Sequence, residues 1–276
     1  MGTQNNKRTI RNLIIFTILV LASGWLGRGL DTLAGNPPSL EGIGSLIWIT
    51  APLVSSFLLR ILAGDGWKDL GITPNFKGNG LWYSLSILLY PFCATFIVAI
   101  GLVVGGISFS ASTSIGLFVQ TLALLLLPQI LTNIFEECGF RGYLAPKLYT
   151  LPLNSFVAHL LVGLIWGLWH LPYLEAITPY TTESLTTLLP RFLMGTIAAS
   201  VVYGEIRLRT HSVWPAVLMQ TTGGVFIGAL MVDGMLTISS AAWLFTPVLE
   251  GGLMIALFGL VGFFSIHLRP HILPTN

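Results

Sequence analysis

The sequence predicts an all-α, polytopic membrane protein, a bundle of about eight transmembrane helices. Hydrophobic residues make up 54% of the 276 residues, charged residues make up 9%, and the mean hydropathy is +0.81. A soluble protein carries about 25% charged residues, so this chain cannot cover itself with a solvated surface. Apolar runs of about 20 residues, the length of one helical crossing, recur along the chain. Long alternating runs of the kind found in a membrane β-barrel do not occur, which favours helices.

Each predicted span is one of these apolar runs, and the whole chain, 1–276, is predicted to be a single transmembrane domain. The first run follows three basic residues and is expected to be retained as an anchor rather than cleaved as a signal peptide. One segment, 114–150, contains Pro128 and a charged cluster, and is either one crossing with a long tail or two broken pieces. The motifs described below lie in a core of about 115–232. The predicted spans are 12–30, 45–63, 81–105, 115–134, 154–173, 188–206, 212–232 and 248–268.

The distribution of basic residues predicts that both termini are cytoplasmic in a multi-pass protein of the cell membrane. Cytoplasmic segments are rich in Lys and Arg. With the first residues inside, only Arg28 and Arg191 of the 13 basic residues fall outside, which leaves 11 inside. The net charge of +2 is too small for a nucleic-acid surface, so no nucleic-acid partner is expected. The inside residues are Lys7, Arg8, Arg11, Arg60, Lys68, Lys77, Arg141, Lys147, Arg207, Arg209 and Arg269.

A charged cluster follows the apolar run of the fourth predicted span. Charged side chains within a bilayer cost about 3 kcal/mol each, so each one needs a partner or a purpose. Glu137 and Arg141 are i,i+4 neighbours on a helix and can form an ion pair. Glu136 points about 100° away and has no such partner on its own helix, which leaves it available as a general base. The alternative is that the cluster is a juxtamembrane cap with two solvated acids.

A second polar intrusion is the sequence Trp-Gly-Leu-Trp-His, residues 166–170, in an otherwise apolar span. Trp166 and His170 lie on one helical face, so the indole can pack beside the imidazole. Glu136 and His170 lie about 21 Å and 27 Å from the turn near 150–152, so an antiparallel hairpin brings them to similar depth. A carboxylate and an imidazole that meet there form a plausible water-activating pair.

The third polar stretch follows two arginines and contains Gln220 within a span. Its side-chain amide can donate a hydrogen bond, either to a neighbouring helix or to a substrate. Two GxxxG pairs, Gly163 with Gly167 and Gly224 with Gly228, predict close approaches between helices. Cys93 and Cys138 have no metal-ligand spacing and predict neither a disulfide framework nor a zinc knuckle.

These three stretches together resemble one family. The sequences EECGFRGYL, WGLWH and RTHSVWPAVL, strongest within residues 130–224, are similar to those of the CPBP family, which comprises type II CAAX prenyl endopeptidases and bacteriocin-processing or immunity proteins. The resemblance implies an intramembrane peptidase in which Glu136 activates water and His170 assists. It makes Glu137 and Arg141 supporting members of the same motif. It also implies a membrane-associated peptide or protein as substrate.

Two positions depart from the family pattern. The family usually has Phe where this chain has Trp166, and His-xxx-Asn where it has Gln220 and Gly224. The family assigns that His and Asn to stabilising the oxyanion, a contribution of roughly 3 kcal/mol per donor in other hydrolases. Gln220 remains a candidate oxyanion donor, whereas Gly224 offers no side chain, so activity is in doubt. Metal-free water activation without a cofactor is favoured, and zinc at Glu136 and His170 is the alternative.

Three functional hypotheses follow. The first is an intramembrane endopeptidase with Glu136 as base, His170 as its partner and Gln220 as oxyanion donor. The second is a catalytically weak or inactive member that acts as an immunity or scaffold protein and keeps the motif as polar glue between helices. The third is a small transporter that uses intramembrane acids as a proton relay, although no internal repeat supports it.

Overall fold

The molecule is a helical bundle, as expected for an all-α polytopic membrane protein. The structure is a computed structural model that describes residues 2–36, 39–110, 114–231, 234–238 and 241–268. Within these residues, seven helical runs are long and apolar enough to cross a membrane. The helices are α1 (Gly2–Leu33), α2 (Ile43–Leu62), α3 (Gly80–Val103), α4 (Ile115–Gly139), α5 (Ala145–Tyr149), α6 (Ser155–His170), α7 (Leu174–Ile177), α8 (Leu185–Thr210), α9 (Trp214–Met231), α10 (Ala242–Phe245) and α11 (Gly252–His267).

The prediction of eight crossing helices differs from the structure at the last one. Helix α11 is apolar but has 16 residues, fewer than the about 20 residues of a typical crossing. The structure also has a two-stranded antiparallel sheet that the sequence analysis did not predict, formed by β1 (Ile107–Phe109) and β2 (Leu236–Ile238). Strands of three residues are too short to show the alternation that identifies a strand.

Segment 114–150 forms one continuous piece. Helix α4, a π-helical turn at Phe140–Leu144 and α5 make a 35-residue run, Ile115–Tyr149. The Ser114 side chain accepts a hydrogen bond from the backbone N–H of Leu117 and so caps its start. Pro128 does not end the helix, since prolines are tolerated in membrane helices. The charged cluster therefore lies within a helical run rather than in a polar tail.

Both GxxxG pairs lie at close helix contacts. A Cβ atom at Gly163 would lie 2.6 Å from the Cα atom of Ile197 in α8, and Gly167 faces the same helix. Gly224 and Gly228 face α4, where any added Cβ would overlap side chains. Small residues at these positions therefore let α6 approach α8, and α9 approach α4.

The loop between α2 and α3 packs against the π turn. The Arg60 side chain donates to the carbonyl oxygen of Gly142 at 2.7 Å, and the Arg207 side chain donates to that of Arg141 at 3.0 Å. Asp69 in the loop accepts from Arg60 at 2.6 Å through its carboxylate and from Arg207 at 2.7 Å through its carbonyl. Basic side chains from α2 and α8 thus fix the π turn to the loop.

The orientation of the termini stays a prediction. Arg269, one of the basic residues assigned to the inside, lies outside the described residues.

Candidate active site

The Glu136 carboxylate lies where three helices meet. It is 7% exposed, in α4, and its Oε2 atom accepts two hydrogen bonds. Trp166 Nε1, from α6, donates at 3.1 Å, and Gln220 Nε2, from α9, donates at 2.7 Å. Both donors are neutral, so the carboxylate is held in place without a direct ionic partner. Three of the predicted site residues, distant in sequence, therefore come together.

His170 lies one helical turn from this contact. Its Nδ1 atom lies 2.8 Å from the carbonyl oxygen of Trp166, and the two rings pack edge to face at 5.5 Å, as expected for neighbours on one helical face. Among the described residues, His170 has no hydrogen bond to Glu136 and is linked to it through Trp166. The prediction of equal depth for Glu136 and His170 was therefore wrong by four residues, about 6 Å of helix rise. Counting from the turn assumed equivalent starting points for the two helices, and they do not have them.

The predicted pair of Glu137 and Arg141 is present and fully buried. Arg141 donates to Glu137 Oε1 at 2.8 Å, and both side chains are 0% exposed. The guanidinium lies between the rings of Trp166 and Tyr203, 4.5 Å and 4.6 Å from their centroids. These contacts contradict the alternative of a cap with solvated acids. Arg141 also touches the indole that binds Glu136, so the ion pair supports the position of the candidate base.

Gln220 has a different contact from the one predicted for an oxyanion donor. Its amide nitrogen is bound to the Glu136 carboxylate, while its Oε1 atom is buried without a hydrogen-bond partner in the described part of the chain. The amide nitrogen carries two hydrogens, so one N–H remains for another acceptor. Its role in catalysis stays a prediction.

The sequence analysis missed two polar residues on the same face of α4. Asn133 is buried, and its Nδ2 atom donates to Thr221 Oγ1 in α9 at 3.1 Å and lies 3.5 Å from Gln129 Oε1. The spacing of 129, 133 and 136 is the signal that could have found them, since i, i+4 and i+7 share one helical face. This contact between α4 and α9 is therefore polar as well as close.

The side chains around Glu136 do not form a zinc site. No group of three or more His, Cys, Asp or Glu side chains that could hold a metal ion occurs among the residues that the structure describes. Two N–H groups also point at Glu136 Oε2, the atom that would have to bind the ion. Structural and catalytic zinc sites use at least three protein ligands, so Glu136 and His170 alone do not fit.

Fold and site together describe a membrane-embedded helical protein with a buried carboxylate at the meeting point of three helices. Residues 118–226 match the model of a family described as Type II CAAX prenyl endopeptidase Rce1-like. A segment of 79 residues is 39% identical to CAAX prenyl protease 2 of Methanococcus maripaludis. This segment covers 29% of the chain and 26% of that relative.

The chain belongs to the CPBP family of intramembrane peptidases, so the resemblance is confirmed. The matched residues 118–226 lie within the predicted motif-bearing core and include Glu136, His170 and Gln220. The individual roles of these residues, and the extent of the single domain, stay predictions.

Proposed function

We propose that this protein is an intramembrane endopeptidase in which Glu136 activates water to hydrolyse a peptide bond near the membrane surface. The observation that carries this proposal is the uneven bonding of the carboxylate. Oε2 accepts hydrogen bonds from Trp166 and Gln220, whereas Oε1 has no hydrogen-bond partner among the described residues. One oxygen thus orients the group, and the other is free to accept a proton from water.

In this mechanism Glu136 takes a proton from water as the water oxygen bonds to the carbonyl carbon of the peptide. The tetrahedral intermediate carries a negative oxygen, which requires N–H donors nearby. Glu136 then passes its proton to the amide nitrogen as the C–N bond breaks. The products are a carboxylate and an amine, so water is the only co-reactant.

His170 assists from one turn away. The carbonyl oxygen of Trp166 can only accept a hydrogen bond, so the 2.8 Å contact requires the His170 proton on Nδ1. Nε2 then carries a lone pair and can accept a hydrogen bond from the attacking water. Trp166 therefore positions both groups, Glu136 through its indole and His170 through its carbonyl.

The proposed substrate is a peptide or protein attached to the lipid bilayer. The most apolar part of the run Ile115–Tyr149, which carries Glu136, has only 6% of its residues buried, so much of this run faces lipid. A substrate held in the bilayer can approach from that side. The relative named CAAX prenyl protease 2 suggests a prenylated C-terminal peptide as a first substrate to test. We place both termini in the cytoplasm on the distribution of basic residues.

No metal or other cofactor has a role in this proposal. The support is the chemistry of the donor set, in which two N–H groups occupy Glu136 Oε2 and no third ligand joins His170 among the described residues.

The test is cleavage of membrane-tethered peptides, including a farnesylated peptide with a CAAX end, by the purified full chain in detergent. Products are identified by mass spectrometry. Glu136→Gln is expected to lower the rate about 100-fold or more, because it removes the general base. Gln220→His keeps a donor beside Glu136 and is expected to raise the rate. The control is Glu41→Gln, which alters an exposed glutamate and should leave the rate unchanged.

All four proteins must unfold at similar denaturant concentrations for the rates to be compared. Equal rates for the wild type and Glu136→Gln would refute the mechanism. Absence of turnover by every well-folded variant, on every peptide, would refute the endopeptidase proposal.

A second candidate is a scaffold or immunity protein without activity. The observation that favours it is that Gln220 and Gly224 stand where the family has His and Asn, and that the Gln220 amide already ties α9 to α4 through Glu136. This candidate predicts that Glu136→Gln weakens folding and leaves no rate to measure.

A further inference from the structure

Gly224 leaves a space on α9 that a side chain from α4 occupies. A Cβ atom at Gly224 would lie 2.5 Å from Gln129 Oε1 and 3.1 Å from Gln129 Nε2. The amide of Gln129 therefore occupies the volume into which a residue 224 side chain would extend. One turn further along α9, Gly228 faces the apolar side chain of Leu125 instead.

The neighbours of Gln129 define how its amide is turned. Asn133 Nδ2 lies 3.5 Å from Gln129 Oε1 and donates to Thr221 Oγ1 at 3.1 Å. With its oxygen towards Asn133, Gln129 has the two hydrogens of Nε2 left for other acceptors. In the part of the chain that the structure describes, no protein group accepts a hydrogen bond from this nitrogen.

The separation between this amide and Glu136 suits a peptide carbonyl between them. Gln220 touches the Glu136 carboxylate, and Gly224 lies one turn further along α9, about 6 Å away. A base and an oxyanion donor must lie roughly this far apart, because the attacking water and the carbonyl occupy the space between them. Each contact spans about 3 Å.

We propose that Gln129 is a catalytic residue whose Nε2 donates a hydrogen bond to the oxyanion of the tetrahedral intermediate. This inference rests on the proposed endopeptidase function. The donor comes from α4, at the position where α9 carries only Gly224. Gln129 and the remaining N–H of Gln220 then approach the oxyanion from opposite helices.

The test compares peptide cleavage by the wild type, Gln129→Ala and the double variant Gln129→Ala/Gly224→Asn, all as full chains in detergent. Loss of one oxyanion donor lowers kcat about 100-fold to 1,000-fold, with KM changed by no more than a few-fold. The double variant supplies an amide from α9 in the space that the first substitution clears. It is expected to recover at least about tenfold of the lost kcat.

Gln120→Ala is the matched control, since Gln120 is an exposed glutamine on the same helix and should not alter kcat. Retention of wild-type kcat by Gln129→Ala would overturn the inference while the proposed function stands, provided that Glu136→Gln is inactive. A loss of kcat matched by a lower unfolding midpoint and without rescue by Gly224→Asn would also overturn it, since Gln129 would then be structural. Absence of turnover by the wild type would overturn the proposed function itself.

Discussion

Replacing Glu137 by Gln is expected to destabilise the protein strongly, although the side chain hardly changes in size. The substitution leaves the guanidinium of Arg141 buried without its counter-charge. Both side chains are 0% exposed, and the pair is closed by a 2.8 Å contact. The Nε and Nη2 atoms of Arg141 have no hydrogen-bond partner among the described residues, so Glu137 provides its charge-assisted bond.

Removal of one partner from a buried ion pair costs about 3–5 kcal/mol. The oxygen of the new amide can still accept a neutral hydrogen bond from Arg141, which restores about 1 kcal/mol. The difference gives a loss of about 2–4 kcal/mol in the free energy of unfolding.

Equilibrium unfolding with sodium dodecyl sulfate in mixed micelles, followed by tryptophan fluorescence, measures this free energy. The matched control is Glu183→Gln. Its partner is Arg191, and the two side chains are 33% and 18% exposed. An ion pair of this kind contributes about 0–1 kcal/mol. If both substitutions changed the free energy of unfolding by the same small amount, the assignment of Glu137 and Arg141 as a buried stabilising pair would be refuted.

Two further predictions concern packing and pH. Gly139→Ala should destabilise by about 1–3 kcal/mol, because its Cβ atom would lie 2.4–2.8 Å from atoms of α2, whereas Gly116→Ala in the same helix meets nothing within 4 Å and should be neutral or mildly stabilising in the same unfolding assay. Burial alone would raise the pKa of the Asp69 carboxyl, but hydrogen bonds from Lys147 and Arg60 hold that pKa below its ordinary value of 3.8. The ionised carboxylate therefore adds stability above about pH 4, which is lost as pH falls through the lowered pKa, and Asp69→Asn should reduce this loss when unfolding is measured from pH 6 to pH 3; an unchanged acid limb would contradict the assignment.

The helical fold and most of its crossings follow from the sequence, because apolar runs of bilayer length leave a helix few alternatives. The course of segment 114–150 did not. Pro128 and the charged cluster both suggest an interruption in water-soluble proteins. In the bundle, neighbouring helices and the pairing of Glu137 with Arg141 satisfy the polar groups, so the helix continues.

The members of the candidate site were identified from the sequence more accurately than their contacts. Residue type and spacing identify Glu136, Trp166 and Gln220, but the depth at which two helices cross depends on packing between them. The count of residues therefore paired Glu136 with His170 instead of Trp166. Gln129 was missed because its importance depends on the absence of a side chain at Gly224, which only the contact between the helices reveals.

The π turn at Phe140–Leu144 has a consequence for changes in chain length. A single-residue deletion within it would let an ordinary α-helix run through the segment and rotate everything that follows by about 100°. Lys147, which pairs with Asp69 at 2.8 Å, would then leave its partner, and the carbonyl oxygens that Arg60 and Arg207 bind would turn away. Insertions and deletions should therefore be excluded from this segment even where single substitutions are accepted.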